Sequence, residues 1–141
     1  MRLLLWLLAV GIFTAVGYAA GNSGHHGEQV QLLGAQDIQE KLDGSEARVS
    51  VVEVTLAPGE HGTPHRHPGP VFGYVLEGDY ELGVDDQPTK VFHTGETFYE
   101  PTGCLHRVSK NPSKEKRTRL IAVVVHPREA KELAVPEAKK H

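Results

Sequence analysis

The stretch Gly59-Glu60-His61-Gly62-Thr63-Pro64-His65-Arg66-His67 decides the fold of this 141-residue chain. Side chains alternate between the two faces of an extended segment, so His65 and His67 should point to one side and Arg66 to the other. Two imidazoles on one side suit Zn, Cu, Fe or Ni, and a third histidine on a neighbouring strand would complete a facial set of ligands. The pair alone is weak evidence, because two surface histidines at a strand end have the same spacing.

Short runs rich in β-branched and aromatic residues, separated by Gly and Pro turns, flank this stretch and predict an all-β barrel or sandwich. Residues 120–125 are apolar throughout, as in a strand that is buried on both faces. The other predicted strands are residues 29–33, 49–56, 71–76, 80–84, 90–93, 97–99 and 105–108. Ile38 and Leu42, four residues apart, predict a short N-terminal helix over residues 35–42.

Two spaced motifs make the chain resemble the cupin family. The first begins with Gly59, His65 and His67, separated by five residues and one residue, and continues as Phe-Gly-Tyr-Val-Leu-Glu-Gly over residues 72–78. The second consists of Gly95, Pro101, Gly103 and His106, separated by five, one and two residues. Asn111 stands one position later than the asparagine that commonly closes the second motif.

The resemblance implies an antiparallel jelly-roll β-barrel in which His65, His67 and His106 hold one divalent metal ion. Iron is the metal that the resemblance favours most, with Zn, Mn, Ni and Cu as alternatives. The resemblance also implies that four motif glycines are turn residues with conformations that glycine reaches easily. These glycines are Gly59, Gly78, Gly95 and Gly103.

The first motif departs from the family pattern at Val71, where cupins usually have a glutamate ligand. The predicted site therefore has three histidines and resembles the iron sites of cupin thiol dioxygenases and β-diketone-cleaving dioxygenases. Because such a site leaves the charge of the ion uncompensated, it should favour an anionic, chelating ligand. Glu100, just before Pro101, could reach the site as a ligand or act as a catalytic general base. Water in place of the missing ligand and a solvent-facing Glu100 are the alternatives, and Glu77 is expected to be structural.

The chain divides into four segments. Arg2, the apolar residues 3–16 and the small residues that follow predict a signal peptide over residues 1–20, because the apolar stretch is shorter than the roughly 20 residues of a membrane span. Residues 21–47 are predicted as an N-terminal arm containing the short helix, residues 48–127 as the barrel, and residues 128–141 as a charged C-terminal tail. We therefore expect a secreted or periplasmic protein that is not held in a membrane after cleavage.

The net charge of −3 and the lack of a continuous basic stripe give no electrostatic argument for nucleic-acid binding. Cys104 is the only cysteine, which excludes an intramolecular disulfide. A small molecule is the expected partner, and a homodimer is an open alternative to a monomer, since cupins often pair through their sheets.

Several residues outside the metal set were candidates for lesser roles. His61 is expected at the rim of the site, and His93 and His126 at the surface. Tyr74 and Tyr99 are candidates for a catalytic acid on position alone.

Three functions remain open at this stage. The first is a mononuclear metal enzyme of the dioxygenase or oxidoreductase type that acts on a small anionic or chelating substrate. The second is a non-catalytic module that binds a small ligand or the metal itself. The third is a metal-assisted isomerase or lyase, in which the ion stabilises an enolate as a Lewis acid.

Overall fold

The computed structural model describes residues 28–138, which form ten β-strands and no helix, and this confirms the predicted all-β class. Each strand predicted from the sequence lies inside one of the observed strands, whereas β3 and β10 were not predicted. The strands are β1 Glu28–Leu42, β2 Ser45–Leu56, β3 His65–Arg66, β4 Val71–Glu77, β5 Asp79–Val84, β6 Lys90–His93, β7 Thr97–Glu100, β8 Leu105–Lys110, β9 Thr118–Pro127 and β10 Val135–Pro136.

The strands form two five-stranded sheets. The first sheet has the order β1-β2-β9-β4-β7 and the second the order β10-β3-β8-β5-β6. The pairings within both sheets are antiparallel. Neighbours such as β2 and β9 are distant in sequence, so the chain crosses between the sheets repeatedly, as in a jelly roll.

The core lies between the two sheets. Along β9 the side chains of Leu120, Ala122 and Val124 are buried, whereas Ile121 and Val123 are only partly buried on the outer face. The prediction that residues 120–125 are buried on both faces is therefore wrong. Only the inner face of this strand has another sheet packed against it. Full burial of one Val or Leu side chain contributes about 1.5–3 kcal/mol.

Aromatic rings join the two sheets inside the core. The ring of Phe98 on β7 lies 5.2 Å from the ring of Tyr80 and 5.5 Å from the ring of Phe92, measured between centroids. Phe98 faces Gly73 across the β4–β7 pair, and a Cβ on Gly73 would lie 1.9 Å from the Phe98 ring. The glycine thus leaves the space that the ring fills.

The predicted helix over residues 35–42 is wrong, because these residues belong to β1. The strand pairs antiparallel with β2 from Glu28 to Leu42, with register shifts after Leu32 and after Asp37. Eight residues are too few to nucleate a helix without strong packing, so hydrogen bonds to β2 prevail over the spacing of Ile38 and Leu42. The two register shifts also hide the alternation by which a strand is recognised.

The turn glycines implied by the two motifs are confirmed. All four have φ values between +70° and +90°. At Gly78 the requirement is doubled, because an added Cβ would also lie 2.5 Å from the carbonyl oxygen of Arg117. This turn brings β5 back against β4 and thereby places Tyr80 inside the barrel.

Asn111 ties together the end of β8 and the turn after β2. Its side-chain amide donates to the carbonyl oxygens of Leu56 at 3.2 Å and Lys116 at 2.7 Å, and its Oδ1 accepts from the Ser113 amide at 2.9 Å. The residue is fully buried. Its role at this position is therefore structural.

The predicted signal peptide over residues 1–20 lies outside the described residues and stays a prediction. Residues 28–138 contain no helix of the length and apolar character that a membrane span requires. Of the predicted charged tail, residues up to 138 are described, and part of it is ordered as β10.

Candidate metal centre

Three histidines converge where β3 meets β8. His65 lies directly opposite His106 in the β3–β8 register, and His67 follows β3. One nitrogen of each ring lies within 4.8 Å of one nitrogen of the other two. The structure therefore brings together the three residues that the sequence pointed to.

Backbone carbonyls determine which nitrogen of His65 and His67 faces the centre. Nδ1 of His65 lies 2.7 Å from the carbonyl oxygen of Thr63, and Nδ1 of His67 lies 2.5 Å from that of Leu133. A carbonyl oxygen only accepts, so each Nδ1 donates and each Nε2 of a neutral ring keeps a lone pair. The two Nε2 atoms are 3.0 Å apart. Two lone pairs facing each other at this distance repel unless a cation lies between them.

The electrostatics of the pocket keep these rings neutral. Burial, followed by the charge of His106, lowers the pKa of His65 to about 4. Burial also lowers the pKa of His67, although the charge of Glu100 opposes the shift. At neutral pH both side chains therefore carry free lone pairs, which is the form that binds a metal ion.

Glu100 is the acidic residue of the centre. It ends β7 and is only 2% exposed, so a solvent-facing Glu100 does not hold. Its Oε2 lies 3.1 Å from Nδ1 of His106 and 3.7 Å from Nε2 of His67. Burial acts to raise the pKa of Glu100, but contact with His106 and the charges of the histidines outweigh burial and hold that pKa below its usual value.

Two buried atoms at this centre have no hydrogen-bond partner among the described residues. They are Oε2 of Glu100 and Nδ1 of His106, and although they are close, they are not aligned as donor and acceptor. Two ligands of one ion, each about 2.1 Å from it, lie about 3.0 Å apart at a right angle and about 3.4 Å apart at the tetrahedral angle. The observed spacings of 3.0, 3.1 and 3.7 Å fit such a donor set.

A buried hydrogen-bonded chain on the far side of His106 was missed in the sequence. The Tyr80 hydroxyl lies 3.2 Å from Nε2 of His106 and donates to Ser109 Oγ at 3.0 Å, and Ser109 in turn donates to Glu28 at 3.4 Å. Burial raises the pKa of Tyr80 well above its usual value and raises the pKa of Glu28. Strict alternation along β8 puts Ser109 and His106 on opposite faces, but an irregularity at Gly83 brings both inward.

The other candidate residues lie away from the centre. Tyr74 and Tyr99 are about half exposed on the outer face of the first sheet, so neither can serve as an acid at the histidines. His93 is exposed and pairs with Asp79 at 2.7 Å. His126 was expected at the surface, and this is wrong: it is buried and hydrogen-bonded to Ser50 at 2.9 Å. The remaining expectations fit: Glu77 forms exposed ion pairs with Arg117 and Arg119, and His61 is exposed.

An antiparallel two-sheet barrel with histidines converging on one inner strand pair defines a class of protein, the metal-binding jelly-roll barrels. Sequence comparison gives the family within that class. The model of the cupin domain matches residues 52–124, slightly more than half of the chain. The chain therefore belongs to the cupin family. No protein of curated function matches it in sequence.

Solved structures with a similar fold include enzymes. Oxalate oxidase in complex with the substrate analogue glycolate is 27% identical, with a TM-score of 0.54, and the match covers 75% of this chain but 55% of that chain. An RmlC-like cupin from Shewanella frigidimarina NCIMB 400 is 25% identical, with a TM-score of 0.55, covering 73% of this chain and 79% of that one. The chain thus spans little more than half the length of the oxalate oxidase that it matches.

A third similar structure supports the fold alone. It is an uncharacterised conserved protein with a double-stranded β-helix domain from Klebsiella pneumoniae, 16% identical, with a TM-score of 0.59. The match covers 81% of this chain and 89% of that chain. A single barrel of this size therefore accounts for nearly the whole length of both proteins.

Proposed function

We propose that this cupin is a mononuclear metal enzyme of the oxidoreductase type, and specifically a dioxygenase, that acts on a small anionic, chelating substrate. The observation that carries the proposal is the pair of Nε2 lone pairs, on His65 and His67, that face each other at 3.0 Å. Both Nδ1 atoms donate to carbonyls, so neither ring presents a proton to the other. A cation satisfies this arrangement, and His106 adds a third imidazole.

Each residue of the centre has a stated role. His65, His67 and His106 hold the ion, and the carbonyl oxygens of Thr63 and Leu133 fix the ring orientations. The bound ion supplies a Lewis acid and, where it is iron, a redox couple with open coordination positions. Glu100 brings a buried carboxylate to the same space, within reach of two of the rings.

Charge favours an anionic substrate. A divalent ion and the carboxylate of Glu100 leave a net charge of about +1 in a buried space, where electrostatic attraction is stronger than in water. A substrate with two adjacent oxygen donors, such as a small hydroxy acid or dicarboxylate, would compensate this charge and occupy adjacent coordination positions. The similar oxalate oxidase, whose complex contains glycolate, supports this substrate class. Iron is the metal that we expect.

The cellular location and assembly are part of the same proposal. We infer export to the periplasm or beyond from the predicted signal peptide over residues 1–20. A homodimer would cover the outer face of the first sheet, where Phe72, Tyr74 and Tyr99 are each about half exposed. Light scattering of the mature protein would measure its mass directly.

The test begins with elemental analysis of the mature protein purified without a His tag, beside a His65→Ala/His106→Ala variant. The proposal expects about one iron per chain, absent from the variant, and oxygen uptake when a panel of small hydroxy acids and dicarboxylates is added. Zinc with no oxygen uptake would move the assignment to the isomerase or lyase. No metal in either protein, and none taken up on reconstitution, would leave the non-catalytic binding module.

A further inference from the structure

We propose that Glu100 is the fourth ligand of the metal ion and that the carboxylate of this cupin site is therefore supplied by β7. The inference rests on the proposed metal centre and specifies its donor set. It assigns Glu100 to the ion itself, so the residue is not a free general base.

The first argument is that nothing donates a proton into the space around Oε2 of Glu100. Nδ1 of His65 and Nδ1 of His67 donate away from the centre, to backbone carbonyls. Because the Tyr80 hydroxyl uses its only proton toward Ser109, its oxygen accepts from Nε2–H of His106. Nδ1 of His106 then carries a lone pair, and this lone pair faces Oε2 at 3.1 Å.

The second argument is the cost of leaving this carboxylate unpaired. Glu100 is 2% exposed, and its Oε2 has no hydrogen-bond partner among residues 28–138. A buried ionised carboxylate is strongly unfavourable unless a cation or several donors compensate it. The atoms around it are the lone-pair nitrogens of His67 and His106, so a bound cation is the partner that satisfies all of them together.

The third argument is the position of Glu100 in the sheet. Glu100 lies directly opposite Val71 in the β4–β7 register, and both side chains are buried on the inner face. The carboxylate is carried by a rigid strand, next to the core residue Phe98 on the same strand, and not by a loop. The resulting set of three imidazoles and one carboxylate suits iron or manganese.

The experiment compares the mature protein with Glu100→Gln, which keeps the size of the side chain and an oxygen that accepts hydrogen bonds. A purely positioning role toward His106 would survive this change, whereas anionic ligation would not. Mn²⁺ and Co²⁺ affinities would be measured by calorimetry, together with the visible spectrum of bound Co²⁺. Difference infrared spectra of the apo and Zn²⁺ forms would report the carboxylate directly. Glu129→Gln, which removes one exposed negative charge after β9, is the matched control.

We expect Glu100→Gln to weaken Mn²⁺ binding by at least about tenfold. It should also change the Co²⁺ spectrum and remove a carboxylate band from the infrared difference, while Glu129→Gln leaves all three as in the parent. If Glu100→Gln binds Mn²⁺ as the parent does, with an unchanged spectrum, the fourth-ligand assignment is wrong. In that case loss of binding in His65→Ala would show that the three-histidine centre itself stands. If His65→Ala also binds metal normally, the proposed function fails with it.

Discussion

Val71 and Glu100 lie directly opposite each other across the β4–β7 pair, and both side chains point into the barrel. The position at which cupins usually place a carboxylate ligand is thus filled by valine, while the residue facing it on the next strand is a buried glutamate. Side chains directly opposite in an antiparallel pair have their Cβ atoms about 5 Å apart. A carboxylate on either strand can therefore reach the same space.

This relationship predicts that the carboxylate can be moved between strands. Glu100→Val should lose metal affinity, and Val71→Glu in that background should restore at least about tenfold of it, a factor typical of groups that tune a metal site. Titration with Mn²⁺ measures the effect. The matched control is Phe72→Glu in the same background, since Phe72 is 52% exposed on the outer face. Equal recovery in the two double variants would contradict the geometry.

The C-terminal segment is predicted to tune the metal site. Leu133 accepts the hydrogen bond that orients His67, and Glu137 pairs with Arg66 at 3.0 Å. A chain ending at residue 131 should therefore bind metal about 10- to 100-fold more weakly, as when an outer hydrogen-bond partner of a ligand is lost. A chain ending after Glu137 keeps these contacts and should bind as the parent does. Similar affinity in both truncated proteins, measured by calorimetry, would rule out this role.

The backbone beside the metal ligands is predicted not to tolerate a methyl group at Gly69. An added Cβ would lie 1.7 Å from the carbonyl oxygen of Val125, so the strand after His67 or β9 must move. We expect Gly69→Ala to reduce the free energy of unfolding by about 2 kcal/mol, a typical cost of overpacking. Gly34→Ala is the control, because no atom lies within 4 Å of the added methyl. Urea unfolding of the apo proteins compares them, and equal stability would refute the prediction.

The core is predicted to depend on Leu56. It is completely buried at the end of β2, so Leu56→Ala should cost about 2–5 kcal/mol of unfolding free energy. Leu33→Ala makes the same chemical change on β1, where the side chain is 49% exposed, and should stay within about 0.5 kcal/mol of the parent. Urea or thermal unfolding gives both values. A loss at Leu33 as large as that at Leu56 would mean that β1 is covered in solution.

Cys104 is predicted to be an inert thiol. Burial, together with the charges of Glu100 and Asp85, raises its pKa to about 11. Since only the thiolate reacts, a pKa about 2.5 units above that of a free thiol slows alkylation at pH 8 by about 100-fold or more. The rate should rise about tenfold from pH 8 to pH 9, because both values lie below the pKa. A colorimetric thiol reagent would compare native with urea-unfolded protein, and equal rates would overturn the prediction.

The linear sequence was sufficient for the strands, the turns and three of the metal-site residues. Alternation and turn residues are local, so the predicted strands fall inside observed ones, and Gly59 and Gly78 adopt the positive φ values expected of them. The spacing of His65, His67 and His106 is also local to two short motifs. The helix prediction failed because Ile38 and Leu42 have a local spacing that a distant partner, β2, overrides.

Other features depended on pairs of residues that only the folded chain brings together. Glu100 becomes part of the centre because β7 pairs with β4, and the carbonyl that orients His67 comes from Leu133, 66 residues later in the chain. Tyr80 and Ser109 reach His106 through an irregularity that breaks alternation. The sequence by itself therefore determined which side chains can bind a metal. The tertiary structure decided their tautomers, their burial and their fourth partner, because these depend on contacts between distant segments.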